Sequence, residues 1–128
     1  MKKILIVEDH ADMRGLLVWQ VELMGFTPIA AKNGEEGVAM AVAEKPDLIL
    51  MDIMMPLMNG WEATRAVRAH PETKDIPILA ATAMFRDTEL KNCLEAGCNG
   101  YIVKPFTFQE LQGRLREFLP EAPEMAPS

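Results

Sequence analysis

Leu48-Ile49-Leu50-Met51-Asp52 is a run of four apolar residues closed by a carboxylate, and it sets the pattern for the whole chain. Ile4-Leu5-Ile6-Val7 leads in the same way into Glu8-Asp9, Ile78-Leu79-Ala80-Ala81 into Thr82, and Tyr101-Ile102-Val103 into Lys104-Pro105. If the runs are parallel strands, their polar closures meet at one edge of one sheet. Three carboxylates, a hydroxyl and an ammonium gathered there point to a divalent cation and an aspartyl phosphate.

Amphipathic stretches separate the runs. Met13, Leu17, Val21 and Met24 fall on one helical face, and Gly25 is placed to end that helix. Asn33 with Glu36 reads as an N-cap pair opening a second helix through Ala43, and Asn59 with Glu62 repeats the device for a third. Arg86 to Ala96 reads as a fourth helix closed by Gly97. Thr107 with Glu110 caps a fifth, whose Phe108, Leu111, Leu115 and Phe118 share a face. Strands alternating with helices imply an α/β domain with right-handed crossovers and a parallel sheet. The second run, Phe26 to Ala31, contains Pro28, which cannot donate to a ladder and so belongs at an edge. The flavodoxin-like order 2-1-3-4-5, a single (βα)5 domain with helices on both faces, satisfies this. It puts the switch point between strands 1 and 3, beside Glu8, Asp9 and Asp52.

Composition bounds the rest. With 128 residues, 49% hydrophobic and 25% charged, the chain fits one globular domain. We assign that domain to residues 1–119 and expect a disordered Pro-rich tail over 120–128. A net charge of -6 argues against nucleic acid or an anionic membrane as the main partner. Cys93 and Cys98 form no CxxC and have no histidine nearby in sequence; they read as small buried thiols in a reducing cytoplasm. No apolar run approaches a signal sequence or a membrane span.

Asp52 is the candidate nucleophile. A carboxylate can attack a phosphoryl group to form a mixed anhydride, provided a cation offsets the repulsion between two anions. Asp9 and Asp52 can each supply a ligand oxygen, and Glu8 can reach the ion or hold a water bound to it. Lys104 suits one phosphoryl oxygen and Thr82 can donate to another. Each residue alone has a plainer reading: Glu8-Asp9 as charges favouring a helix N-terminus, Asp52 as a turn residue. Their order at successive strand ends favours the joint reading.

On these residues the chain resembles the receiver domain of two-component response regulators of the CheY-like type. The matching segments are Ile6-Val7-Glu8-Asp9, Asp52-Ile-Met-Met-Pro56-Leu-Met-Asn-Gly60, Ala81-Thr82-Ala83 and Lys104-Pro105-Phe106, within a span from residue 3 to about 119. The resemblance implies that Asp52 takes a phosphoryl group from a phosphohistidine on a sensor histidine kinase or histidine phosphotransfer protein. It implies Mg²⁺, replaceable by Mn²⁺, on Glu8, Asp9, Asp52 and the main-chain carbonyl of Met54, and a cis Lys104-Pro105 bond. It implies a switch in which Thr82 moves toward the phosphoryl group and Tyr101 turns inward, altering the fourth helix, fifth strand and fifth helix for a protein partner. Such a domain is a signalling phosphoacceptor, not an enzyme acting on other substrates. The acid pair is Glu-Asp where Asp-Asp also occurs.

Three further expectations come from single residues. The resemblance implies that Met54 and Met84, two after Asp52 and two after Thr82, border the path of the hydrolytic water; neither orients water well and both can exclude it, which predicts a long-lived phosphoryl group. Trp19 falls opposite the buried face of the first helix and, with Phe106, suits docking of the phosphodonor. Met54 also stands where an aspartyl-nucleophile phosphohydrolase would need a second Asp, and no cap insertion is present, so that alternative is disfavoured. An inert interaction module is disfavoured by the intact Glu8, Asp9, Asp52, Thr82 and Lys104.

Overall fold

A computed structural model describes residues 1–83 and 87–119. Five parallel strands form one sheet in the order β2-β1-β3-β4-β5. They are β1 (Lys3–Val7), β2 (Thr27–Ala31), β3 (Leu48–Asp52), β4 (Ile78–Thr82) and β5 (Gly100–Val103). The helices between and after them are α1 (Ala11–Leu23), α2 (Gly34–Glu44), α3 (Gly60–Ala69), α4 (Asp87–Ala96) and α5 (Phe108–Phe118). The expected flavodoxin-like order, with the Pro28 strand at an edge, is the observed one.

The all-apolar runs are explained by two cores, one on each face of the sheet. Ile4, Ile6 and Leu50 point to one face, where α1 and α5 bring Leu17, Val21, Leu111 and Leu115. Leu5, Val7, Ile49 and Met51 point to the other, against Ala41 of α2, Ala63 and Val67 of α3 and Cys93 of α4. A central parallel strand is buried on both faces, so period-two alternation disappears from its sequence. Fully burying each Leu or Ile contributes roughly 1.5–3 kcal/mol. β2 is the edge that Pro28 requires. Thr27 N–H donates to the Lys2 carbonyl, so the next residue's amide position faces away from β1, where a missing N–H costs no ladder bond.

The capping pairs act as expected, with one variation. Asn59 and Glu62 form a reciprocal capping box on α3, and Thr107 and Glu110 form another on α5. At α2, Asn33 accepts from Glu36 N–H at 2.8 Å, but the Glu36 carboxylate accepts from Lys32 N–H instead. Phe26, expected to start the second strand, belongs to the closure of α1: Gly25 takes φ 91°, and Phe26 N–H donates to the Val21 carbonyl. The expected fourth-helix start at Arg86 and the 120–128 tail lie outside the described residues; α4 is described from Asp87.

The register lines up the strand ends. Val7 pairs with Met51, Asp52 with Ala81, and Thr82 with Val103. Glu8, Asp52, Thr82 and Lys104 therefore emerge at one edge, and the connection after β3 must fold away at once. Gly60 permits this. Its N–H donates to the Ile53 carbonyl at 3.0 Å, and a Cβ there would lie 2.7 Å from Ile53 Cα.

Candidate functional site: an acidic cleft at the carboxyl edge

Glu8 follows β1 and Asp52 closes β3, and both are nearly enclosed, at 3% and 5% exposure. Asp9 is exposed beside them. One carboxylate oxygen from each of Glu8, Asp9 and Asp52 falls within 4.8 Å of the others, close enough to share one small cation. Lys104, just past β5, reaches across from the other side. Its Nζ lies 3.1 Å from Asp52 Oδ1 and 3.3 Å from Glu8 Oε2. The cleft holds about 400 Å³ and is lined by these four residues with His10, Met13, Met54 and Ala83.

Two carboxylates side by side in a poorly solvated place cannot both ionise cheaply. Burial pushes the Asp52 carboxyl up to about 7, a hydrogen bond with Glu8 adds to the rise, and the Lys104 ammonium offsets only part of it. The Lys104 ammonium shows the reciprocal balance. Burial alone would lower it, but Asp52 and Glu8 outweigh that, and its pKa lies above the usual lysine value. The donor set of three hard oxygens suits Mg²⁺.

Thr82 is buried at the end of β4, and its carbonyl accepts from Lys104 N–H at 2.8 Å. The Lys104–Pro105 bond is cis. Met54 stands exposed at the rim of the cleft, whereas Met84 lies outside the described residues. Tyr101 is not gathered into the cleft. It faces outward from β5 and lines a separate hollow with Gln109, Gly113 and Arg114 of α5. Arg14 was missed by sequence reasoning. Its Nη1 donates to the main-chain carbonyls of Glu8 at 2.9 Å and Asp9 at 3.3 Å, fixing the backbone that presents the acid pair. No motif marks it; only its place one turn into the helix after the pair hints at the role.

On α1, Leu17 and Val21 are buried while Trp19 is 58% exposed, as the helical spacing predicts. Leu16 and Leu23 are exposed on the same helix. A groove of about 440 Å³ runs from Met13, Leu16 and Gln20 to Pro105 and Phe106.

A doubly wound parallel sheet with an acidic cleft at its switch point defines a class of ligand-binding α/β domains. Within that class, the chain belongs to the response regulator receiver domain family, which it matches over residues 4–116. The phosphate regulon transcriptional regulatory protein PhoB of Pseudomonas aeruginosa is 39% identical over 118 residues, 92% of this chain and 52% of that protein. The alkaline phosphatase synthesis transcriptional regulatory protein PhoP of Bacillus subtilis is 36% identical over 99% of this chain and 52% of its own length. The chain thus spans about half the length of these regulators. Among solved structures, the chemotaxis protein CheY4 of Vibrio cholerae superposes with a TM-score of 0.89 at 30% identity, covering 92% of this chain and 98% of that one. The receiver domain of a sensor histidine kinase from Pseudomonas aeruginosa gives 0.87 at 34% identity over 93% and 98%. That structure carries a magnesium ion in its active site cleft.

Proposed function

We propose that this receiver domain accepts a phosphoryl group on Asp52 from a phosphohistidine of a sensor histidine kinase or histidine phosphotransfer protein. The observation that carries this reading is Lys104 Nζ held against Asp52 and Glu8, opposite the oxygens of the acidic cluster. In the transfer, an Asp52 carboxylate oxygen attacks phosphorus, the phosphorus–nitrogen bond breaks, and the imidazole leaves with the bonding electrons. Lys104 pairs with one phosphoryl oxygen and the Thr82 hydroxyl donates to another. Glu8, Asp9, Asp52 and the Met54 carbonyl would hold Mg²⁺, or Mn²⁺ in its place. The bound cation supplies the charge that lets anionic phosphate approach a carboxylate. Arg14 keeps the Glu8-Asp9 backbone in position while this happens.

The phosphorylated form is read by a protein partner on the face made by α4, β5 and α5. Thr82 and Tyr101 link the site to that face by favouring one of two arrangements. The domain is cytoplasmic and touches neither membrane nor nucleic acid directly; its charge of -6 supports this. Residues 1–119 form the domain. The phosphohydrolase reading is weaker because Met54 can neither donate nor accept a proton.

The test is incubation with Mg²⁺ and acetyl phosphate or beryllofluoride, followed by intact mass and Trp fluorescence. One phosphoryl group per chain, lost in Asp52→Asn, is expected. Multiple turnover of a small phosphoester would instead identify a hydrolase, and no modification would identify an inert module.

A further inference from the structure

Cys93 and Cys98 meet at the end of α4. Gly97 takes φ 112°. Its N–H donates to the Leu94 carbonyl at 3.1 Å, and Cys98 N–H donates to the Cys93 carbonyl at 3.0 Å. These two bonds fold the residue after the glycine back over the residue five before it, and an apolar contact usually fills the overlap. α1 closes in the same way, with Val21 beneath Phe26. In α4 the same two positions carry thiols, buried together in one core cluster. The main-chain bond between the two residues holds their backbones close together, and disulfides form across Cα separations of about 4.4–6.8 Å.

The surroundings of the sulfurs distinguish them from inert core cysteines. Trp61 Nε1 donates to Cys93 Sγ at 3.2 Å, and the Thr64 hydroxyl lies 3.7 Å from Cys98 Sγ. The Arg68 guanidinium grips the Gly97 carbonyl from Nε at 3.1 Å and Nη2 at 2.8 Å, next to Cys98. The Cys93 thiol is held below its ordinary pKa, first by the hydrogen bond from Cys98, with burial opposing and the Trp61 N–H assisting. The same hydrogen bond and burial push Cys98 up. The Trp61 N–H aimed at Cys93 Sγ favours negative charge on that sulfur, so Cys93 is the one set to attack. Both are free, and they are 1% and 6% exposed, so only a small oxidant reaches them.

We propose that Cys93 and Cys98 form a redox-active dithiol that hydrogen peroxide converts to an intramolecular disulfide, tying the last turn of α4 to the segment leading into β5. The Cys93 thiolate attacks a peroxide oxygen, the O–O bond breaks, and hydroxide leaves with the electron pair to become water. Cys93 is then a sulfenic acid. The Cys98 sulfur loses its proton and attacks Cys93 Sγ, the S–O bond breaks, and a second water leaves. Two thiols lose two electrons and two protons, and one peroxide becomes two waters. The bridge would lie in the core between α3 and α4, behind the face assigned to the partner, and does not depend on that assignment.

Glu95 lies between the two cysteines, so a Glu-specific protease separates them. The reduced full chain is treated with hydrogen peroxide in native buffer, quenched with iodoacetamide in denaturant, digested and mass-analysed. The expected result is a Cys93 fragment and a Cys98 fragment joined to each other, two hydrogens lighter than the reduced pair, and released by dithiothreitol. Joining should be about tenfold faster in the native chain than in urea, because the fold holds the sulfurs together. In Cys98→Ala, dimedone should trap the sulfenic acid on Cys93. Recovery of both cysteines alkylated while methionines gain oxygen would overturn the proposal. So would joining between chains, or joining no faster in the native state than in urea.

Discussion

At the scale of single residues, Asp52 binds its proton more tightly in the fold than in the unfolded chain, moving from 3.8 to about 7. A raised acid pKa means that the native state carries more protons than the unfolded state between those values. Stability of the metal-free protein should therefore fall as pH rises from about 4 to 7, by on the order of 3 kcal/mol. Asp52→Asn removes the effect, so its advantage in urea midpoint over the wild type should grow from pH 5 to pH 8. Equal advantages at both pH values would contradict the shift. For the same reason Mg²⁺ should bind more tightly with rising pH and level off above about 7, with calorimetry detecting proton release. Thr82 belongs to this scale as well. Thr82→Ala should uncouple Asp52 phosphorylation from partner binding. A partner affinity that still responds to phosphorylation in the variant would remove Thr82 from the switch.

At the scale of elements, glycines in different places should respond with opposite signs. Gly60 opens α3 directly beneath the end of β3, where a Cβ would press on Ile53 Cα. Gly60→Ala should cost about 1–3 kcal/mol, and, by displacing the Asp52 backbone, should slow phosphorylation. Gly113 lies inside α5 with nothing within 4 Å of an added Cβ. Gly113→Ala should instead raise stability by roughly 0.5–1 kcal/mol. Urea denaturation of the two variants checks both signs. The caps show what is legible locally. Asn59 with Glu62 and Thr107 with Glu110 form boxes because both partners lie within one turn of chain. Glu36 departs from the pattern by turning to Lys32 N–H, a choice between two adjacent amides that residue types do not settle.

At the scale of the molecule, α1 presents Trp19 away from the core that Leu17 and Val21 anchor, while Leu16 and Gln20 of the same helix line the groove leading to Phe106. Trp19→Ala should slow phosphotransfer from a protein donor about tenfold or more, as loss of a docking aromatic does, while sparing acetyl phosphate. Equal slowing with both donors would locate the defect in the cleft and not in docking. The exposed Met54 at the rim carries the expectation of a persistent phosphoryl group, because a thioether cannot orient water for attack. Following radiolabelled phosphate on the isolated chain checks this: decay within seconds would sink it.

The amino-acid sequence alone determined the edge position of β2, through one proline that only an edge tolerates, and pointed to the cleft residues, through their repeated place at strand ends. Both are one-dimensional signals, readable because hydrophobic period and backbone chemistry act locally. Three things were decided only by the tertiary structure. Arg14 holds the acid pair through carbonyl oxygens, which leave no trace in residue types. Asp52 is raised by burial beside Glu8, a residue far away in sequence. Cys93 and Cys98, with no motif between them, become partners because Gly97 turns the chain back on itself and Trp61 arrives from another helix. Dielectric and proximity are properties of the packed volume, and they exist only once the sheet and its two layers of helices have closed.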